Sequence, residues 1–290
     1  MNPFVLRAVA AALCLVPLVA HAADNALCSG PPDGLPIIAP LDHFAARIEQ
    51  GGPLNIVAVG SSSTSGIGAS SPDLTYPSRL EAELRQRFPN LDIHVVNRGK
   101  GGEDAPEELA RLPNDVVALH PDLAIWQVGT NAVLRRDNLG ADAEWMREGV
   151  ELMKRNGIDV VLMDLQVAPR VLDRTSYAAM EALIADTATR EQVGLFRRFA
   201  LMRYWQTSQL ADAPAMVGAD GLHMTDAGYG CLAADLAAGL EANWQSERKL
   251  ARREHVAPDA IAGLPAQSSA GAHLPEATEP MRRNDATPFN

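Results

Sequence analysis

Short runs of apolar, mostly β-branched residues recur along the chain, with amphipathic stretches between them. Leu54 to Val59, Leu91 to Val96, Leu123 to Val128 and Ile158 to Met163 each have the length and composition of a buried strand, and Gly194 to Phe196 can seed a short fifth. Between these runs the apolar positions take the spacing of a helical face. Tyr76, Leu80, Leu84 and Phe88 recur every fourth residue, and Met146, Gly149, Val150 and Met153 share one side of a helix predicted over Ala141 to Arg155. Helices are also predicted over Leu41 to Gln50, Pro106 to Leu119 and Ser176 to Gln192. A last one starts near Thr225 with Leu232, Leu236 and Leu240 in register. Asn156-Gly157 is a helix-terminating pair. Short apolar strands joined through helices cannot pair as hairpins, so the expected class is α/β, three layers with a central parallel sheet.

Composition sharpens this picture only at the ends. The chain has 290 residues, of which 47% are hydrophobic and 21% charged, enough for a full core. Its formal charge of −11 disfavours nucleic acid and anionic membrane as partners. Residues 1–22 carry one basic residue, Arg7, then an apolar run to Val19 and the small-x-small sequence Ala20-His21-Ala22. This is the pattern of a secretory signal peptide and shorter than the ~20 apolar residues a span needs. Residues 23–50 read as an N-terminal extension, 51–247 as the folded domain, and 248–290, rich in Ala, Pro and Ser, as a disordered tail. The expected location is outside the cytoplasm, periplasmic or secreted. Removal of Cys14 with the leader leaves Cys28 and Cys231, which an exported protein can pair. Without Cys-x-x-Cys or His-x-x-x-His, no metal site is expected.

Ligands of open parallel sheets bind beyond the carboxyl ends of the strands. Those ends carry Gly60 to Gly66, with Ser61, Ser62, Ser63 and Ser65, then Asn97-Arg98-Gly99-Lys100-Gly101-Gly102, and then Gly129-Thr130-Asn131-Ala132. Asp220-Gly221-Leu222-His223 precedes the last helix. Neither familiar nucleotide-binding glycine fingerprint is present. Acyl transfer needs a hydroxyl nucleophile, an imidazole base, a carboxylate to orient it and donors for an oxyanion, and each of these is available. Taken singly each segment is ordinary turn or cap chemistry, and the residues alone do not choose among the four serines.

Together the four blocks resemble the SGNH or GDSL-type hydrolases, a family of esterases and lipases, over Leu54 to Trp244. The resemblance implies a flavodoxin-like sheet and assigns Ser62 as nucleophile. It makes Gly99 and Asn131 oxyanion donors with the N–H of Ser62, Asp220 the orienting acid and His223 the base. It departs from the family pattern at Ser61 and Ala132, where Asp is usual. It implies hydrolysis of carboxylic esters without a cofactor, of short acyl groups on an extracytoplasmic carbohydrate. A lipid ester and a non-catalytic glycan-binding role on the same fold are the alternatives. His43, His94 and His120 match no block. Arg135 and Arg136 read as a solvated pair, with an acidic substrate as the other possibility.

Overall fold

The computed structural model describes residues 34–135, 139–208 and 215–261, with Cys28, Gly30 and Pro31. The signal-peptide segment, Arg136 and residues 262–290 lie outside the described residues. The chain divides into a compact unit through Leu250 and a second from Ala251 onward.

In chain order the elements are α1 (Asp42–Gln50), β1 (Pro53–Gly60), α2 (Ser62–Ser65), α3 (Tyr76–Arg87), β2 (Asp92–Gly99), α4 (Ala105–Asp115), β3 (Leu123–Gln127), α5 (Thr130–Arg135), α6 (Asp142–Arg155), β4 (Asp159–Met163), α7 (Pro169–Leu172), α8 (Tyr177–Glu191), β5 (Gly194–Phe196), α9 (Arg198–Thr207) and α10 (Asp226–Ile261). The five strands form one parallel sheet in the order β2-β1-β3-β4-β5. Alternate residues of β1 feed two cores. Leu54, Ile56 and Ala58 pack with α1, α3, α9 and α10, whereas Val57 and Val59 pack with α4, α6 and α8. That double burial explains why Ile56 to Val59 is apolar without a break.

Three boundaries move, each for a local reason. β2 continues to Gly99 because it pairs with β1 along its full length, from Pro53 opposite Asp92 to Gly60 opposite Gly99. α4 stops at Asp115, and Val117–Leu119 forms a 3₁₀ turn ended by His120 at φ 47°. The last helix runs past position 248, where the tail is expected to begin, in a stretch rich in Glu, Lys, Arg and Ala, all strong helix formers. Arg248 lies 5.0 Å over the Trp244 ring and pairs with Glu49 at 3.2 Å.

At its outer margin β2 meets α3 through side chains. Arg85 donates to the Ile93 carbonyl at 2.7 and 3.0 Å, and Glu81 accepts from the Val95 N–H at 2.8 Å. At the other margin the extension lies against β5, with Ile37 beside Gly194. It is held by Asn243, whose amide donates to the carbonyls of Ile37 and Ala39. Cys28 and Cys231 are disulfide-bonded, joining the extension to α10 across a sequence separation of 203.

Glu108 on α4 is fully buried and accepts from Trp126 Nε1 at 2.7 Å; burial pushes its carboxyl from an ordinary 4.5 up to about 8. Between those values the folded chain binds a proton that the unfolded chain has released, so stability falls as pH rises from about 4.5 to about 8. Glu108→Gln keeps the acceptor and removes this dependence. Thermal melts at intervals from pH 5 to 8 are expected to decline more steeply for the native protein than for the variant. Parallel declines would refute it.

Candidate active site

β1, β2 and β3 end level, with Gly60 in register with Gly99 on one side and Gln127 on the other, so the segments that follow emerge together. Gly60 turns at φ 151°, and a Cβ there would lie 2.6 Å from the Gln127 carbonyl and from Thr64 Oγ1. The chain can leave β1 this tightly only without a side chain. It then winds directly into α2. Gln127 Oε1 accepts from the Ser61 N–H and hydroxyl, both at 3.2 Å, and from the Thr64 hydroxyl at 3.3 Å, which fixes the base of the turn.

The four serines thereby acquire different fates. Ser61 faces Gln127, Ser63 is buried, and the Ser65 hydroxyl donates to the Ser62 carbonyl at 3.0 Å. Ser62 Oγ lies 2.9 Å from His223 Nε2. His223 Nδ1 lies 2.5 Å from Asp220 Oδ2, and Asp220 Oδ1 accepts the N–H groups of Leu222 and His223, each at 3.0 Å. Burial pulls the Asp220 carboxyl upward, but the His223 ring and these two N–H groups outweigh it and hold it down at about 2. It is therefore ionised at neutral pH and accepts from Nδ1, leaving Nε2 free to accept a proton from Ser62. The turn carrying both residues is pinned by Gly218 N–H to the His223 carbonyl at 2.8 Å and Arg170 N–H to the Gly221 carbonyl at 3.0 Å.

The donor side differs from expectation. The Gly99 N–H is taken by Asn97 Oδ1 at 2.9 Å, so it is not a free donor. Gly99 has a packing role instead: a Cβ there would lie 2.0 Å from the Ser65 backbone nitrogen, so α2 can rest on β2 only over a glycine. Gly101 is the loop residue near the nucleophile, since a Cβ built on it would meet the Ser62 Cβ at 3.9 Å. Among the described residues the N–H groups of Gly101 and Gly102 have no hydrogen-bond partner. Asn131 donates one amide hydrogen to the Glu103 carbonyl at 2.6 Å, which leaves its second for another acceptor.

Two positions with clear local roles carry no motif. Gln127 had a visible signal, a single polar residue ending an otherwise apolar strand. Arg111 had none: its guanidinium donates to the Gly60 and Arg98 carbonyls and to the carboxylates of Glu103 and Asp115, tying the first two strand ends to α4. Ala132 is fully buried, so the third block contributes a core contact where Asp is usual. A cavity of about 310 Å³ under the extension, lined by Leu35, Phe196, Leu201 and Asp235 among others, contains none of the five predicted residues. Among the described residues no cluster of His, Cys, Asp and Glu could hold a metal ion, and no helix is long and apolar enough to cross a membrane.

The chain is similar in sequence and in fold to known esterases. Over 149 residues, half of this chain and 70% of the relative, the sequence is 27% identical to an arylesterase of Vibrio mimicus. In fold it is similar to a two-domain esterase active on acetylated mannans, with TM-score 0.61 and 20% identity over 73% of this chain, although the match spans only 56% of that protein. It is also similar to an acetylxylan esterase, Axe2 of Geobacillus stearothermophilus, with TM-score 0.55 and 21% identity over 67% of this chain and 97% of that one. The sequence profile of the non-GDSL lipase-like family matches residues 27–245, in keeping with Ser61 where the GDSL pattern has Asp. The match covers most of the chain, and the protein is a hydrolytic enzyme of the non-GDSL lipase-like family.

Proposed function

We propose that the protein is a serine esterase that removes short acyl groups, acetyl foremost, from an extracytoplasmic carbohydrate. The observation that carries this reading is the continuous line Ser62 Oγ, His223 Nε2, His223 Nδ1, Asp220 Oδ2, with gaps of 2.9 and 2.5 Å. His223 takes the hydroxyl proton as Ser62 Oγ bonds to the ester carbon, and the carbonyl electrons move to oxygen. The N–H groups of Ser62, Gly101 and Gly102 and the free amide hydrogen of Asn131 are the donors available to that oxyanion. Collapse of the tetrahedral centre expels the alcohol with the proton from His223, and water then repeats the sequence to free the acid. Asp220 stays ionised throughout and stabilises the imidazolium.

The acetyl preference is supported by two fold relatives, one active on acetylated mannans and one an acetylxylan esterase. Export is supported by the Cys28–Cys231 bond, which persists in oxidising compartments. The experiment is intact-protein mass after exposure to a fluorophosphonate, followed by peptide mapping. An adduct on Ser62 is expected, and its absence in His223→Ala. No adduct on folded native protein would overturn the reading and favour a non-catalytic glycan-binding role. Acetate release from acetylated mannan oligosaccharides, compared with hydrolysis of a long-chain nitrophenyl ester, decides the acyl class.

A further inference from the structure

The loop from Gly99 to Asp104 hangs between two sets of anchors. Upstream, the Lys100 N–H donates to the Gly60 carbonyl at 2.9 Å. Downstream, two consecutive carbonyls are bound from a single helix. Asn131 donates to the Glu103 carbonyl, and Arg135, one turn later on the same face of α5, donates through Nη2 to the Gly102 carbonyl. The opposite edges of those two peptides are also engaged, Glu103 N–H with the Lys100 carbonyl at 3.4 Å and Asp104 N–H with Glu107 Oε2 at 3.1 Å. The Glu103 side chain is held in turn by Arg111 at 2.5 Å and Lys100 at 2.8 Å.

What remains between the anchors is Gly101 and Gly102, whose N–H groups have no partner among the described residues and of which Gly101 is the residue beside Ser62. Gly102 sits at φ 83°, and two successive glycines can reorient their shared peptides at little cost. A clamp on the Gly102 carbonyl is what denies them that freedom. Arg135 supplies it from an exposed position, whereas Arg111 and Glu103 belong to the part-buried frame.

We propose that Arg135 is a positioning residue for ester hydrolysis: by holding the Gly102 carbonyl it keeps the Gly101 and Gly102 N–H groups aimed at the oxyanion formed on Ser62. The proposal rests on the esterase reading above. Freed of the clamp, the loop spends only part of its time in the aimed conformation, and turnover falls in proportion to that fraction while substrate binding is unchanged. The loss is smaller than the ~10²–10³ that follows outright removal of a donor, on the order of tenfold.

The test is steady-state hydrolysis of p-nitrophenyl acetate by the native protein, Arg135→Met, Arg135→Lys and Ser62→Ala, with melting temperatures and the rate of fluorophosphonate adduct formation for each. Arg135→Met is expected to lose about tenfold in kcat with KM within about twofold and an unchanged melting temperature. Phosphonylation, in which fluoride leaves and the phosphoryl oxygen comes to lie where the oxyanion forms, is expected to slow by the same factor, and Arg135→Lys or added methylguanidinium to restore part of the rate. A native kcat in Arg135→Met would overturn the proposal. So would a rise in KM alone, which marks a substrate contact, or a rate loss that tracks a fall in melting temperature. A fully active Ser62→Ala would overturn both the esterase reading and this extension of it, whereas inactive Ser62→Ala beside fully active Arg135→Met would remove only the latter.

Discussion

Ser62→Ala is expected to fold normally and to lose about four to six orders of magnitude in kcat/KM on p-nitrophenyl acetate. The fold should tolerate the change because the groups that build the turn remain. The Ser62 carbonyl still accepts from the Ser65 hydroxyl and the Gly66 N–H, and the Gln127 contacts go to Ser61 and Thr64. Activity cannot tolerate it, because among the hydroxyls of that turn only Ser62 reaches the imidazole, at 2.9 Å. His223→Ala should cost about as much, and the double variant no more than either single one, since the two act as one device. Rates measured beside near-UV circular dichroism provide the check. A folded Ser62→Ala enzyme retaining more than about 1% of native turnover would be incompatible with a residual that comes from oxyanion donors and binding alone.

The second large effect concerns stability. Removing the Cys28–Cys231 bond, by reductant or by paired substitution to Ser, is expected to cost about 2–5 kcal/mol. For a domain of this size that is a fall in melting temperature of about 4–20 °C. Three features place the effect at the high end. The bond closes a sequence separation of 203, and the extension it anchors has otherwise only limited ties. Asn243 holds the carbonyls of Ile37 and Ala39, and Ile37 packs into the core beside β5. Asp235, one turn beyond Cys231, is raised by burial to about 7 even though the Gly30 N–H beside it favours the ionised form, so it lends little compensating stability near neutral pH. Melts with and without reductant test this, and superimposed curves would show that the extension holds without the bond.

The sheet is legible because β1, β3 and β4 are buried on both faces and their runs are almost wholly apolar. Marginal β2, with only Ile93 buried, still shows its β-branched residues. The ends are not legible, because pairing decides them. Nothing in Asn97-Arg98-Gly99 reads as strand, yet the ladder to Val59 and Gly60 extends β2 through it. Of the candidate site, the Asp220 and His223 pair followed from spacing, whereas Ser62 was separated from its neighbours only by family resemblance. In the structure the separation is made by Gln127, which faces Ser61 and Thr64. The resemblance assigns Gly99 as a donor, but three glycines fall within four positions and a pattern does not say which N–H is already engaged. The Asn97 side chain decides that. The carbonyl clamps of Arg111 and Arg135 are long-range side-chain choices, and no local spacing announces them.

The margin of the sheet has a consequence for life in a crowded compartment. β2 is an outer strand of eight residues, and Ile93 and Val95 point their backbone groups away from β1. An outer strand of that length is a template onto which another polypeptide can add. Here Arg85 and Glu81, ion-paired with each other at 2.9 Å, already engage those groups. An incoming strand would have to displace a matched pair of charges from α3 before forming its first two bonds. Resistance to self-association is thus written into a surface ion pair whose direct contribution to folding is small.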